Sequence, residues 1–391
     1  MYFAEFFAGV GLVNLALSST GWECRWANDI SPEKQRIYEQ NFDHQNFVLG
    51  NIWDYAEEFE TIPDECFLYT ASFPCTDMSL AGERRGLAGK ESGTLNAVLR
   101  IIENKATTNK HPYLIMLENV QGFLTSHDGA DVRFTISELN RLGYVVDIIE
   151  LDAVYFSPQS RPRVFLFAAR NEIADSIMTI RGKESFFDAW RSHFEANPLL
   201  RTDKIRRIFD KDHNLKIGLF DIPSPPRRLS TLSDIIETDL NANDSAWWSS
   251  ARKDHLYSQM SDLHKKHLNI MTASKVISYG TVYRRTRNGK SFAELRTDGV
   301  AGCLRTPRGG SSKQILIKAG QGNWAVRLLT PREYARLQGV HDSFILPTND
   351  NQGYFAMGDA VCVPAIEFLS KHVLTPTYDA VMSRAVHAAR I

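Results

Sequence analysis

Short apolar runs alternate with longer amphipathic stretches along the first 170 residues of the chain. Apolar runs rich in aromatic and β-branched residues are typical of buried strands, and they predict strands at YFAEFF, WECRWAND, CFLYTAS, YLIMLEN, YVVDIIELD and RVFLFAA. Helical patterns lie between them, including PEKQRIYEQNF, TLNAVLRIIENKA and DVRFTISELNRLG, the last ending at Gly143, where a C-terminal glycine belongs. This order predicts an α/β fold with a mostly parallel sheet and helices on both faces.

The alternation fades after about residue 171. A turn-rich segment, PSPPRRLSTLSD, lies near the middle of the chain, and glycine-rich basic segments follow residue 278. We therefore predict a first domain over 1–172, a second, smaller domain over 173–350, and a C-terminal segment, 351–391, that returns to the first domain. A length of 391 residues agrees with two compact units.

Composition narrows the class of protein. The chain is 43% hydrophobic and 23% charged with a net charge of −1, as expected of a globular protein. Its five cysteines are widely spaced and include no C-x-x-C pair, which argues against a disulfide framework and a structural zinc site, so no metal is expected. A reducing cytoplasm fits this cysteine usage. The apolar N-terminus lacks a basic flank, so neither a signal peptide nor a membrane span is predicted.

A glycine-bearing turn follows the first predicted strand. In FFAGVG, Gly9 and Gly11 stand between a strand and a helix, where a backbone without side chains lets a ligand approach closely. Asp29 lies 20 residues after Gly9, the spacing at which an acidic residue binds ribose hydroxyls in such folds. No G-K-[ST] follows, so a nucleoside-bearing cofactor without a required pyrophosphate is favoured. A simple tight turn is the alternative.

Two reactive side chains follow neighbouring predicted strands. Cys75 ends SFPC and Glu118 lies in LENV, and open α/β sheets bind ligands at the carboxyl ends of their strands. A cysteine that only packs and a glutamate that only caps a helix or forms an ion pair are the alternatives. In SPQSRPRVFLFAAR, Gln159, Arg161 and Arg163 alternate with period 2 into a strand. These arginines either cover a sheet edge or supply cations beside Cys75 and Glu118.

Six motifs in this order resemble those of the bacterial cytosine-C5 DNA methyltransferases, which depend on S-adenosylmethionine. They are FAGVG, FPC, LENV, QSRPR, LTPREYARLQG and GDAVCVPAI, and they cover about residues 1–170 and 278–375. The resemblance implies a Rossmann-like catalytic domain over 1–172 and a target-recognition domain over 173–350. It also implies base flipping, because a cytosine inside a duplex cannot reach a pocket.

The resemblance assigns the chemistry to four side chains. Cys75 matches the nucleophile that adds to cytosine C6 and makes C5 reactive. Glu118 would contact N3 and the exocyclic amine, Arg163 would bind O2, and Arg161 would support Arg163, with Gln159 holding the strand end. S-adenosylmethionine would supply the methyl group and leave as S-adenosylhomocysteine.

Cofactor residues carry over by position. The resemblance places the following residues around the cofactor: Phe7, Gly9, Gly11, Asp29, Ile30, Asn51, Ile52, Pro74, Asp359 and Val361. The sequence departs from the family pattern at Asn51, where aspartate is usual, at Leu12, where a second glycine is common, and at Asp359, where asparagine is usual. A carboxylate at Asp359 accepts hydrogen bonds but cannot donate them as an amide does.

Positive charge gathers outside the catalytic motifs. The segment from Lys275 to Lys318 contains ten lysines and arginines but only two acidic residues. Such an excess of positive charge is expected of a surface that binds a phosphate backbone. A solvated face is the alternative. GERRGLAGKESGT, 82–94, fits a loop that closes over the flipped base. The predicted DNA-binding residues are Ser79, Arg84, Arg85, Tyr283, Arg284, Arg285, Arg305, Arg308 and Lys313.

Double-stranded DNA is therefore the predicted partner of a monomer, with a cognate restriction endonuclease as a further partner. Two alternatives stay open. An RNA cytosine methyltransferase on the same scaffold is disfavoured by the long basic region. A catalytically silent DNA-binding relative is suggested by Asn51 and Asp359, and is opposed by the intact Cys75, Glu118 and Arg163.

Overall fold

A computed structural model describes residues 1–74, 92–181, 192, 194–238, 245–306 and 312–388. The chain divides into two compact units. The first comprises Met1–Leu151, Pro162–Pro225 and Ala365–Ile391, and the second comprises Asp152–Arg161 and Pro226–Pro364.

A seven-stranded sheet forms the centre of the first unit. Its strands β1 to β7 are Tyr2–Phe6, Glu23–Asp29, Phe47–Leu49, Leu68–Ser72, Leu114–Val120, Tyr144–Asp152 and Pro162–Arg170, in the spatial order β3-β2-β1-β4-β5-β7-β6. Pairing is parallel from β3 through β5, whereas β7 is antiparallel to β5. All six predicted strands are present and the mostly parallel α/β sheet is confirmed. β3 was not predicted because three residues carry too little periodicity.

Helices accompany this sheet in the first unit. Those of the first unit are Leu12–Ser18, Pro32–Glu39, Ile52–Glu57, Leu95–Thr107, Gly122–Thr125, Ala130–Arg141, Asn171–Ile177, Asp203–Lys211 and Thr375–Ala388, with Val363–Leu369 beginning at the last residues of the second unit. Leu95, Val98 and Ile102 are fully buried at helical spacing in the core of the first unit. Gly143 has φ 90° just past Ala130–Arg141, which confirms the predicted C-terminal glycine.

Residues 173–225 belong to the first unit, although the sequence analysis places a domain boundary at 172. Ile205, Ile208 and Phe209 are buried in the same core cluster as the central sheet. Arg201 donates to Asp147 Oδ2 at 2.9 Å, and both side chains are almost fully buried. Two short strands, β8 (Thr179–Ile180) and β9 (Gly218–Leu219), pair with each other. These contacts join segments that are far apart in the sequence. The predicted boundary at 172 rested on a local change in composition, which carries no information about such contacts.

An antiparallel four-stranded sheet forms the centre of the second unit. Strands β10 to β13 are Ser278–Arg287, Lys290–Arg296, Ile315–Gly320 and Asn323–Leu328, in the order β11-β10-β12-β13. Helices Ser250–Ser258, Asp262–Ala273, Pro331–Leu337 and Asp350–Asp359 accompany it. Asn288 and Gly289 have φ 50° and 73°, so an Asn-Gly turn joins β10 to β11. That dipeptide is a hairpin signal that the sequence analysis overlooked.

Candidate active site

Glu118 and Arg163 form an ion pair at the carboxyl end of β5. Arg163 stands opposite Val120 on the antiparallel strand β7, so it is a diagonal neighbour of Glu118 on the same face of the sheet. Arg163 Nε lies 3.0 Å from Glu118 Oε1, and the two side chains are 15% and 11% exposed. The guanidinium also donates to Pro162 O at 2.9 Å. These contacts give the carboxylate a fixed orientation in a site largely closed to water.

Asn119 links this pair to the neighbouring strand. Ser72, the last residue of β4, is in register with Glu118. Asn119 is 3% exposed and its Nδ2 donates to Phe73 O at 3.1 Å, while its Oδ1 accepts from Val120 N at 2.8 Å. Asn119 therefore holds the chain two residues before Cys75. Asn119 was not predicted as a site residue, although an amide after the apolar run of a strand is a usable signal.

Five predicted site residues lie outside the described residues: Cys75, Ser79, Arg84, Arg85 and Arg308. Two other cysteines of the first unit, Cys24 and Cys66, are buried in its interior. Burial raises the pKa of the Cys66 thiol to about 12 and also raises the pKa of Cys24. Because the thiolate is the nucleophilic form, neither of these two thiols is suited to attack a substrate.

The loop after β1 winds through the left-handed region three times, at Phe7 (φ 58°), Gly9 (φ 60°) and Gly11 (φ 83°). A Cβ added at Gly11 would lie 2.5 Å from the Phe42 ring, so this glycine is needed for packing. A Cβ at Gly9 would meet only Phe7 O, at 4.0 Å, which leaves open space beside the loop. The side of the loop at Gly9 therefore has room for a ligand.

Asp29 ties this loop to the end of β2. Its Oδ2 accepts from Gly9 N at 2.9 Å and its Oδ1 accepts from Ser31 N at 2.9 Å, with Lys34 Nζ 3.8 Å from Oδ2. A carboxylate offers about four acceptor positions, so Asp29 retains capacity for ligand hydroxyls. The neighbouring Ile30 is 68% exposed, which leaves an apolar side chain available to a flat ring.

Two further predicted cofactor residues have other contacts in the first unit. Asn51 caps the helix Ile52–Glu57, its Oδ1 accepting from Trp53 N at 3.1 Å. Ile52 is 3% exposed and belongs to the core cluster, so its side chain packs inward. Trp53, which the sequence analysis did not consider, is 45% exposed beside Asn51. Pro74 is the last described residue before Cys75.

Arg161 and Gln159 belong to the second unit. β7 begins at Pro162, so of the three predicted residues only Arg163 lies in the strand, and the alternation with period 2 does not extend to Gln159 and Arg161. Arg161 is 2% exposed and donates to the carbonyl oxygens of Leu304 (2.8 Å), Gly358 (3.0 Å) and Ala360 (2.6 Å).

The bonds of Arg161 flank Asp359, an exposed residue that ends the helix Asp350–Asp359, while Val361 is buried. Gln159 is fully buried and donates to Leu337 O at 3.0 Å. Arg161 therefore organises the backbone around Asp359, and Gln159 binds the end of the helix Pro331–Leu337.

Basic and aromatic side chains mix on the sheet of the second unit. The Arg285 and Arg305 guanidinium carbons lie 5.5 and 5.4 Å from the centre of the Tyr283 ring. Arg285 also pairs with Glu294 at 3.0 Å. Lys313 donates to Asn351 Oδ1 at 2.6 Å. Such a surface can contact phosphates through its cations and bases through its aromatic face.

The first unit therefore has a carboxylate at the end of β5 and a glycine loop held by an aspartate, and the second unit has a basic surface. The family model for the C-5 cytosine-specific DNA methylase matches residues 1–375. The chain belongs to this family. As a member it is a DNA (cytosine-5-)-methyltransferase, and the predicted resemblance is confirmed.

Curated relatives are similar to this chain over nearly its whole length. The type II methyltransferase M.HhaI of Haemophilus parahaemolyticus is 25% identical over 375 residues, covering 95% of this chain and 93% of that protein. The type II methyltransferase M.HpaII of Haemophilus parainfluenzae is also 25% identical, covering 95% of this chain and 88% of that protein.

Solved structures support the same fold. The S. pombe Dnmt2 methyltransferase has a TM-score of 0.59 at 17% identity, covering 96% of this chain and 99% of that chain. A putative DNA modification methyltransferase encoded within an E. coli prophage has a TM-score of 0.54 at 16% identity, covering 96% of this chain and 99% of that chain. In the described part of the chain no helix has the length and apolar character needed to cross a membrane.

Proposed function

We propose that the protein transfers a methyl group from S-adenosylmethionine to C5 of a flipped-out cytosine in a specific duplex DNA sequence, through a covalent bond between Cys75 and C6. The observation that carries this proposal is the Glu118–Arg163 pair, closed largely from water at the carboxyl end of β5. Asn119 links that strand end to Phe73, two residues before Cys75, which supports a shared site for the three side chains.

The pair matches what a cytosine requires. C5 is a weak nucleophile, so the Cys75 thiolate first forms a bond to C6, and the electrons of the C5=C6 double bond move toward the N3 side of the ring. Glu118 takes a proton from solvent as the cytosine enters and gives it to N3, and Arg163 donates to O2, so no full negative charge builds on the ring. When bound, S-adenosylmethionine supplies the methyl group to C5. Loss of the C5 proton to solvent then restores the double bond, expels Cys75 and returns the N3 proton to Glu118.

The first unit offers features that fit the cofactor. Gly9 leaves open space beside the loop, and Asp29 keeps acceptor capacity for ribose hydroxyls. Ile30 presents an exposed apolar side chain to adenine, and Asn51 can accept from the adenine amine with the second lone pair of its capping oxygen. The family pattern adds Phe7, Gly11, Ile52, Pro74, Asp359 and Val361 to the proposed cofactor residues, Ile52 through its backbone because its side chain packs in the core. The expected product is S-adenosylhomocysteine.

The proposed DNA contacts are divided between two segments. Residues 82–94, with Ser79, Arg84 and Arg85, would close over the flipped base. Residues 226–350 of the second unit would read the target sequence, with the basic side chains of β10 and the segment 305–313 contacting the duplex. The type II relatives motivate a cognate restriction endonuclease as a partner of a cytoplasmic monomer.

Replacing Cys75 tests the mechanism. Cys75→Ala should abolish methyl transfer from labelled S-adenosylmethionine to duplex DNA while leaving binding of DNA and cofactor largely intact, because only the nucleophile is lost. Duplex DNA containing 5-fluorocytosine should trap a covalent adduct that needs Cys75, since fluorine cannot leave as a proton does. Cys66→Ala is the matched control, because that buried thiol precedes β4, whereas Cys75 follows the carboxyl end of the same strand. Transfer by Cys75→Ala within tenfold of the unchanged protein would disprove the covalent mechanism.

Offering the protein both DNA and RNA with labelled S-adenosylmethionine distinguishes the proposed function from the two alternatives, because the label shows which polymer accepts the methyl group. Label on DNA supports the proposal, label on RNA alone would make the protein an RNA methyltransferase, and DNA binding without transfer would make it a silent relative. Target reading is tested by exchanging residues 240–315 for those of a relative, followed by bisulfite sequencing. An active chimera that kept the original target would show that this region does not choose the cytosine.

A further inference from the structure

A pocket of about 360 Å³ lies within the second unit, a volume in the range of small-ligand sites. Arg252, Arg284 and Lys313 line it together with Ser312, and Phe355 supplies an apolar side. Among the described residues that line the pocket, none has a carboxylate. Three cations with no acid among the described lining residues are uncommon, because like charges repel in a partly closed space.

Neighbouring side chains hold these cations in place. The Arg252 guanidinium carbon lies 3.7 Å from the centre of the Trp248 ring. Lys313 Nζ lies 4.2 Å from the centre of the Tyr354 ring and donates to Asn351 Oδ1. Side chains stacked in this way lose less conformational entropy on binding than unrestrained surface lysines do.

Arg284 occupies the inner face of β10. It is opposite the buried Ala293 and shares a face with Val282, which is fully buried. Burial, and then the charge of Arg252, lower the pKa of Arg284. Two guanidinium groups close enough to disfavour each other's charge are stabilised when an anion binds between them.

Ser312 contributes a hydroxyl group to the same pocket. Its Oγ is buried and has no hydrogen-bond partner within the part of the chain that the structure describes. A buried hydroxyl without a partner costs free energy, and a ligand oxygen would remove that cost. Phe355, 39% exposed, offers an aromatic ring against which the sugar or base attached to a phosphate can pack.

We propose that this pocket binds a nucleotide phosphate, with Arg252, Arg284 and Lys313 neutralising its charge and Ser312 donating to one of its oxygens. The phosphate belongs either to the DNA backbone or to a free nucleotide, and both sources share this chemistry. The DNA source rests on the proposed function, whereas binding of a free phosphate does not. Arg252 lies outside the basic segment Lys275–Lys318 that the sequence analysis assigned to DNA, and Ser312 lies within it but was not among the predicted DNA-binding residues.

The test compares Arg252→Ala with Lys266→Ala, which removes the same charge from an exposed position on the helix Asp262–Ala273. Fluorescence anisotropy of a labelled duplex is measured from low to high salt. Loss of one phosphate contact should lower the slope of log affinity against log salt by about 0.9 and weaken binding about tenfold, equally for all sequences. Lys266→Ala should change both quantities much less.

Ser312→Asp is the second variant, since its carboxylate would pair with the cations and occupy the pocket without removing a packing group. It should fold and lose phosphate binding. Calorimetric titration with inorganic phosphate and with a nucleoside monophosphate measures the binding of free phosphate and of a free nucleotide. Free-phosphate binding that both variants abolish, with unchanged DNA binding, supports the pocket and assigns it to free nucleotides.

The proposal is overturned if Arg252→Ala and Ser312→Asp, both folded by circular dichroism, bind duplex and phosphate as Lys266→Ala does. These readouts need no methyl transfer. A protein that binds phosphate here but methylates no polymer would therefore contradict the proposed function and leave the pocket assignment standing.

Discussion

Arg163→Ala should destabilise the first unit and disable methyl transfer together. At 3.0 Å and an effective dielectric constant of about 20, the attraction between Arg163 and Glu118 is on the order of 5 kcal/mol. Side-chain exposures of 15% and 11% let water compensate part of the loss. Because the variant leaves Glu118 charged and mostly buried, we expect the free energy of unfolding to fall by about 3 kcal/mol. Losing the donor to cytosine O2 should lower kcat/KM about a hundredfold.

Urea denaturation and initial methylation rates measure the two effects. Arg206→Ala is the control, since Arg206 pairs with Asp203 on an exposed helix face and should cost less than about 0.5 kcal/mol. A double-mutant cycle with Glu118→Gln should give a coupling energy of about 1–3 kcal/mol. Additive effects of the two substitutions, within about 0.5 kcal/mol, would refute the inference that the pair acts as a unit.

Three further results are expected. Arg327→Ala should lower the free energy of unfolding by about 3–5 kcal/mol in urea, because Glu333, its fully buried bidentate partner, would keep an uncompensated charge. Asp359→Asn should keep or tighten cofactor affinity in calorimetry, whereas a large loss would mean that the acid makes its own contact. Burial lowers the pKa of His111 to about 4 from 6.5, so the unfolded chain takes up the extra proton first and stability should fall as the pH drops from 6.5 toward 4. Because solvent screens this half-buried imidazole, the loss should be about 1–2 kcal/mol. His111→Gln should flatten this part of the pH–stability profile, and an unchanged profile would contradict that assignment.

Strands of the first unit were predictable because burial on both faces of a parallel sheet requires continuous apolar runs. The position of Glu118 at a strand end followed from the same pattern. The strands of the second unit were harder to predict from the sequence, because they are half exposed and mix arginines with apolar residues. Its Asn288-Gly289 hairpin turn was nevertheless available as a signal.

The sequence alone determined the order of strands and helices, the family motifs and the residue types at the strand ends, because each depends on neighbours along the chain. Only the tertiary structure decided which side chains meet. Asn119 binds Phe73 across 46 positions, and Arg161 binds Ala360 across 199. Arg161 and Arg163 stand two residues apart, yet one organises the backbone around Asp359 in the second unit and the other orients Glu118 in the first. The physical reason is that such pairings depend on how distant segments pack, which a local pattern of apolar and polar residues does not encode.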